Sequence, residues 1–279
     1  MKNIFFIRKQ IEDGKFTYKD LVLFYLYRIY KYELDNTTTL NTVIALNKEV
    51  VNQARALDKK VSDGLAPTSR HPIYGMPILL KDNINTSGMK TTAGAIALID
   101  NEVNDAFIVN RLKENGALIL GKVNLSEWAN FLCDCPNGQS AVGGQTLNPY
   151  GRRGFDTGGS SAGSGTSMAA NYAVAAVGTE TSGSILSPSS HNSIVGLKPT
   201  IGLLSRTGIV PISSTLDTPG PMTRNVIDNA ILLSAMTGKD TLDSKSIDEH
   251  FPGIISAGLH PTALKNMRLG AMKNLIEKR

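Results

Sequence analysis

The sequence predicts a layered α/β protein, because helical patterns alternate with short apolar strands along the chain. Three apolar runs have the length of buried strands, at MPILLK (76–81), ALILGK (117–122) and AVAAVG (173–178). Helical patterns precede the first two runs, an order typical of helices packed on a sheet. With 279 residues, the chain is long enough for one large domain or two modest ones.

The N-terminal part predicts two helices and a strand. Thr17 and Asp20 have the spacing of a capping box, and apolar residues then recur every three or four positions on one helical face, at Leu21, Phe24, Tyr25, Ile29 and Tyr32. TVIAL (42–46) is a short strand candidate. A second helix is predicted from Asn47 to about Ser62, closed by Gly64.

Further elements follow from the same signals. A third helix is predicted over 104–115, with Gly116 just past its end. NLSEWANF (124–131) has a helical pattern, and a long irregular stretch follows it. A last helix is predicted over 224–237, and NMRLGAMKNL (266–275) starts another strand.

Composition and charge exclude several functional classes. The net charge is +5 and the pI about 9.1, but basic residues cluster only in pairs, so no nucleic-acid surface is predicted. The four histidines are scattered and no metal-ligand set is present. Cys133 and Cys135 lie too close for an unstrained disulfide, which favours free thiols and a cytoplasmic protein. The chain has no 18-residue apolar span, and IFFI (4–7) is too short for a signal-peptide core.

The most informative stretch is 154–224, which is rich in Gly and Ser yet contains core-like apolar runs. It holds Gly158-Gly159-Ser160-Ser161, then Thr181-Ser182-Gly183-Ser184, in which the two outstanding serines are 24 residues apart (184 − 160), and GLKPT (196–200). Upstream, Lys81 follows an apolar run in MPILLKDN. Together these motifs resemble those of the amidase signature family, and the resemblance covers nearly the whole chain from about residue 10.

The resemblance implies a fold with a mixed β-sheet core sandwiched between helices. It implies one amidase domain over 1–279, with an N-terminal helical segment over about 1–70, the signature core over about 71–238, and the start of a C-terminal portion over 239–279. Family members continue well beyond this point, so the chain is expected to be truncated at its C-terminus. The shortened piece is expected to aggregate or to turn over poorly, because an uncovered sheet edge favours association.

The resemblance also assigns roles to residues. It makes Ser184 the nucleophile, Ser160 a relay serine preceded by a cis peptide bond, and Lys81 the base. The backbone N–H groups of Thr181, Ser182, Gly183 and Ser184 would form an oxyanion hole. A lysine acts as a base only when neutral, and burial behind 77–80 would lower the pKa of Lys81. No cofactor or metal is implied. The expected substrate is a small amide or a peptide amide, without nucleic acid or membrane, and a homodimer stays open.

A different nucleophile is conceivable from the residues alone. Ser161 lies in a G-x-S-x-G pattern, with Asp217 and then His250 or His260 in the right chain order for a hydrolase triad. That motif requires an apolar strand just before it, and NPYGRRGFDTG (148–158) is not one. Asp217 and Lys198 are better interpreted as turn residues. The alternative to a catalytic role is that Ser160 caps the following helix and that Ser184 is an ordinary turn serine.

Two positions depart from the family pattern. Ser182 replaces a frequent glycine, and Leu186 replaces an arginine that is usual in the subunit that makes amides from glutamine during tRNA charging. The loss of that arginine argues against such a role. The surrounding SEWANF and GIVPIS segments look more like the peptide-amidase branch. The chain is therefore expected to be an amidase that acts through an acyl-enzyme; the alternatives are a component of a glutamine-dependent tRNA amidotransferase or an inactive amidase fragment.

Overall fold

A mixed sheet of six strands carries the fold in the computed structural model, which describes residues 3–132, 134–248, 262, 264–268 and 270. Two further short strands pair with each other in a separate antiparallel sheet. In chain order the strands are β1 (Val43–Leu46), β2 (Pro77–Lys81), β3 (Leu118–Val123), β4 (Gln139–Ser140), β5 (Gly144–Gln145), β6 (Ala175–Glu180), β7 (Val195–Gly196) and β8 (Thr218–Thr223).

The central strand of the sheet is β2. The spatial order is β1-β3-β2-β6-β8-β7, with β2 parallel to β3 and β6 and the other neighbours antiparallel. Because β2 is covered on both faces, Ile78, Leu79 and Leu80 are all fully buried, which explains its unbroken apolar run. Lys81 ends this strand and is buried with it.

Helices cover the sheet. They are α1 (Ile4–Glu12), α2 (Tyr18–Glu33), α3 (Val50–Ser62), α4 (Phe107–Glu114), α5 (Ala162–Ala169), α6 (Leu186–His191) and α7 (Val226–Met236). The sheet lies between two helical groups: α5 packs with α6, whereas α4 packs with α7. In the part of the chain that is described, no helix is long and apolar enough to cross a membrane.

Most of the predicted elements are confirmed. The strands at 43–46, 77–81 and 118–123 and the helices α2, α3, α4 and α7 occur close to their expected bounds, and the capping box of Thr17 and Asp20 is formed at α2. The third apolar run also forms a strand, although β6 begins at Ala175 and continues to Glu180. Phe24 was wrongly placed on the inner face of α2, since its side chain is 48% exposed and Val22 is buried there instead.

Other elements differ from the prediction. Residues 124–131 form only a 3-10 turn at Glu127–Asn130, because the N–H groups of Ser126 and Trp128 donate to Ser160 O (3.0 Å) and Ala93 O (2.9 Å) rather than to a helix. Strand β8 was not predicted, since its two prolines argue against a strand. Helix α1 was also missed.

Two further expectations concern the cysteines and the C-terminal region. Cys135 is disulfide-bonded, so the expectation of a free thiol there is wrong. The strand predicted over 266–275 lies largely outside the described residues, and no strand occurs over 266–268 or at 270.

Candidate active site

The end of β2 places Lys81 in the centre of the candidate site. Its Nζ lies 2.7 Å from Ser160 Oγ and also donates to Thr179 Oγ1 (2.9 Å) and Thr179 O (3.2 Å). The side chain is fully buried. Thr179 comes from the neighbouring strand β6 and also accepts a hydrogen bond from Asn83 Nδ2 (2.9 Å). The expected contact between Lys81 and Ser160 is therefore present.

Burial changes the basicity of Lys81. Removal from water disfavours the charged ammonium and lowers the pKa of Lys81 to about 7, although the nearby carboxylates of Glu180 and Asp217 act in the opposite direction. A lysine with this pKa is substantially neutral at physiological pH. It can therefore accept a proton from a neighbouring hydroxyl.

Ser160 follows a cis peptide bond with Gly159, as the resemblance implies. Its backbone oxygen accepts a hydrogen bond from Ser126 N (3.0 Å). Gly159 is closely surrounded: a Cβ there would lie 2.4 Å from Asn137 Oδ1 and 2.7 Å from Ser126 Oγ. A larger residue here would displace these two side chains, whereas glycine fits without a rearrangement.

Ser184 lies on the loop between β6 and α6. Its backbone oxygen accepts a hydrogen bond from Ser161 N (3.1 Å), so the two serine motifs are adjacent. Gly183 before it has φ +83°, a conformation that favours glycine. Among the described residues, no hydrogen bond joins the Ser184 hydroxyl to Ser160, so this expected contact is not formed in the structure.

Three N–H groups of the same loop have no hydrogen-bond acceptor within the described chain. In the described chain, the N–H groups of Ser182, Gly183 and Ser184 donate no hydrogen bond to other residues. Unpaired backbone N–H groups are the donors from which oxyanion sites are built.

Two carboxylates hold this loop, and sequence reasoning gave neither of them that role. Glu180 Oε2 accepts hydrogen bonds from Ile185 N (2.7 Å) and Leu186 N (2.9 Å). Asp217 Oδ1 accepts one from Thr181 Oγ1 (2.5 Å). Asp217 Oδ2 also binds the N–H groups of residues 212 and 213, so its predicted turn role is confirmed. The sequence signal that could have indicated this role for Glu180 is its position directly before Thr181, at the start of the loop.

The alternative nucleophile Ser161 has a structural role. Its Oγ donates to Thr179 O (3.0 Å) and accepts from Thr179 N (3.2 Å), and its side chain is fully buried. His250 and His260, its proposed partners, lie outside the described residues. Lys198 bonds to Pro199 O (3.1 Å), as expected for a turn residue.

A cavity of about 300 Å³ opens beside the loop. Asn83 and residues 179–181 form one wall, and residues 209–212 line another. Asn83 Oδ1 is buried there without a hydrogen-bond partner in the described chain. No group of three or more His, Cys, Asp or Glu side chains suited to a metal ion occurs among the described residues.

Comparison with known proteins places the chain in a family. The family model described as Amidase matches residues 20–278. A probable amidase of Arabidopsis thaliana is 44% identical over 95% of this chain and 52% of its own length. A glutamyl-tRNA(Gln) amidotransferase component of Pediococcus pentosaceus is 39% identical over 85% of this chain and 47% of its own length.

Comparison with solved structures finds proteins of the same family. The native peptide amidase of Stenotrophomonas maltophilia superposes with a TM-score of 0.83 at 45% identity, covering 88% of this chain and 49% of that enzyme. The chain spans about half the length of the relatives it matches. The chain belongs to the amidase family.

Proposed function

We propose that this protein hydrolyses the C–N bond of a carboxamide, yielding a carboxylate and ammonia or an amine. The observation that carries the proposal is the 2.7 Å contact between the buried Lys81 Nζ and Ser160 Oγ, with the pKa of Lys81 lowered to about 7. An amide is a poor electrophile, so its cleavage needs an activated nucleophile and a base that is neutral at working pH. Lys81 supplies that base.

In the proposed mechanism Ser184 Oγ attacks the amide carbonyl carbon. Its proton passes to Ser160 Oγ, while the Ser160 proton passes to Lys81 Nζ. The tetrahedral intermediate then expels the amine, which takes a proton back from Lys81 through Ser160, leaving an acyl group on Ser184. Water then attacks this ester and gives a proton to Lys81 through Ser160. The C–Oγ bond breaks, Ser184 Oγ takes the proton back along the same path, and the carboxylate is released. The contact between Ser160 and Ser184 would form with substrate, since catalytic hydrogen bonds commonly tighten on binding.

The negative oxygen of both tetrahedral intermediates would bind the free N–H groups of the loop. Those of Ser182, Gly183 and Ser184 support this role because they donate to no other group of the described chain. The loop is held at Glu180 and Asp217, so the donors are oriented before the charge develops.

The cavity beside the loop supports a small or extended amide as substrate. Its volume of about 300 Å³ is at the small end of ligand sites. Its walls combine the apolar residues 209–212 with the polar Asn83 and Thr181. Together with the similarity to a peptide amidase, this favours a simple carboxamide or a peptide amide.

Ammonia release from a substrate panel tests the proposal. The panel contains simple carboxamides, C-terminally amidated peptides and free glutamine, and Ser184→Ala protein serves as the blank. We expect release from carboxamides or peptide amides. Release from glutamine alone would instead favour an amidotransferase component, and no release from any amide would favour an inactive fragment.

We expect activity to rise with pH around neutrality. Neutral Lys81 is the active form, so kcat/KM should increase through a pKa near 7 and fall about tenfold per pH unit well below it. Glu180→Gln should move the profile to lower pH, because the carboxylate raises the pKa of Lys81. A profile that is flat between pH 5.5 and 8.5 would contradict the assignment of Lys81 as the base.

A second expected result concerns the support of the loop. Thr181→Val keeps the side-chain shape but removes the hydroxyl that bonds to Asp217. We expect kcat to fall by about 10- to 100-fold, with a smaller change in KM. Misplaced oxyanion donors stabilise the transition state less, whereas substrate binding changes little. Ser214→Ala, which removes a hydroxyl from the same cavity, is the control and should change kcat less than about twofold. Equal effects of the two substitutions would argue against a role for the Thr181–Asp217 contact.

A further inference from the structure

The outer face of α2 carries a row of exposed apolar side chains. We call this row the outer stripe; it consists of Leu23, Tyr27, Tyr30 and Leu34, which are 44%, 61%, 66% and 70% exposed. The opposite face of the same helix is buried in the core through Tyr18, Leu21, Val22, Tyr25 and Ile29. Helix α2 is therefore apolar on two sides, whereas a surface helix normally has one apolar face and one polar face.

The spacing of the outer stripe is that of a helix-pairing seam. Its members are separated by four, three and four residues, which at 3.6 residues per turn places them within an arc of about 60°. The same alternation defines the contact positions of coiled coils. In the described part of the chain, neither tyrosine of the stripe makes a hydrogen bond or a ring contact. Tyr27, Tyr30 and Leu34 line a shallow hollow of about 330 Å³ with Lys31.

The stripe is also symmetric in sequence. It reads Leu-Tyr-Tyr-Leu in both directions, with the leucines equidistant from the midpoint of the two tyrosines. If two such helices pair antiparallel about a two-fold axis, Leu23 faces the partner's Leu34 and Tyr27 faces the partner's Tyr30. A self-complementary patch of this kind is what a two-fold interface requires, since the same surface serves both protomers. We propose that the outer stripe is an interface for a second copy of this chain, with the two α2 helices antiparallel.

The flank of the stripe fits this pairing. Lys31 and Phe24 lie on the same side of the seam, and Phe24 is 48% exposed. Antiparallel pairing brings Lys31 beside the partner's Phe24, where an ammonium over an aromatic ring is attractive. The four stripe residues of two protomers would bury at most roughly 1,000 Å² in total, since each is already partly covered and a fully buried aromatic side chain contributes about 150–250 Å². That area is at the low end of specific interfaces, so a reversible dimer is expected.

Two charge variants test both the dimer and its direction. Sedimentation velocity over a wide range of protein concentration should show a monomer converting to a discrete dimer. The double variant Tyr27→Glu, Tyr30→Glu places like charges opposite each other and should weaken dimerisation at least tenfold. The double variant Tyr27→Lys, Tyr30→Glu has the same number of new charges but pairs opposite ones in the antiparallel arrangement, so it should dimerise at least tenfold more tightly than the first. All substituted side chains are exposed, and circular dichroism confirms that each variant is folded.

The outcomes that would overturn the proposal are distinct. Leu65→Glu, at a residue that is 72% exposed outside the stripe, is the matched control and should leave the dimer unchanged. A wild-type monomer at every concentration would mean that the stripe is bare or is covered by another segment or protein. Equal weakening in both double variants would exclude antiparallel pairing, and an unaffected dimer in both would place the interface elsewhere.

Discussion

Ser184→Ala is expected to abolish amide hydrolysis, lowering kcat by about 10⁴-fold or more, because it removes the hydroxyl that we propose as the nucleophile. Ser184 lies beside three free N–H donors, whereas Ser161 uses its hydroxyl both as donor and as acceptor with Thr179. The measurement is kcat from ammonia release on the best amide of the panel. Thermal unfolding of both proteins shows whether the fold is retained.

Ser161→Ala is the matched control for this experiment. It removes the neighbouring serine of the G-x-S-x-G pattern and two buried hydrogen bonds, so it should lower stability while costing far less activity than Ser184→Ala. An active Ser184→Ala protein beside an inactive, folded Ser161→Ala protein would move the nucleophile to Ser161.

Lys81→Ala is expected to reduce kcat/KM by about 10³- to 10⁴-fold, since the base that contacts Ser160 is lost. The remaining activity should no longer rise through pH 7. Lys198→Met is the control, because Lys198 bonds only to the carbonyl of its neighbour Pro199 in the described chain. It should retain activity within about twofold. A Lys81→Ala protein that is folded, active and unchanged in its pH profile would show that another group is the base.

The residues of the candidate site could be identified in the sequence because each follows a recognisable local pattern. Lys81 ends an apolar run, so burial of its strand implied burial of its amine. Ser160 and Ser184 follow glycines in motifs with a fixed separation. Their roles came from the resemblance, since composition and periodicity cannot distinguish a nucleophile from a turn serine. The structure adds the Lys81–Ser160 contact and the adjacency of the two loops.

What sequence reasoning missed depends on contacts between distant segments. Thr179 lies at the end of a predicted strand, but its contact with Lys81 requires β2 and β6 to be neighbours. Residues 124–131 have helical periodicity, yet hydrogen bonds to Ser160 and Ala93 hold them in a turn. Strand β8 contains prolines that local rules exclude from sheets. Phe24 has the spacing of a core residue but lies on the exposed side of α2.

Ser184 is the residue that becomes acylated in the proposed mechanism, and covalent labelling can identify it. A serine-reactive fluorophosphonate traps the nucleophile without requiring full turnover, and peptide mass spectrometry identifies the modified residue. We expect one phosphonyl group per chain, carried by Ser184, with labelling lost in Ser184→Ala and slowed in Lys81→Ala. A label on Ser161 or Ser160, or labelling that persists in Ser184→Ala, would contradict it.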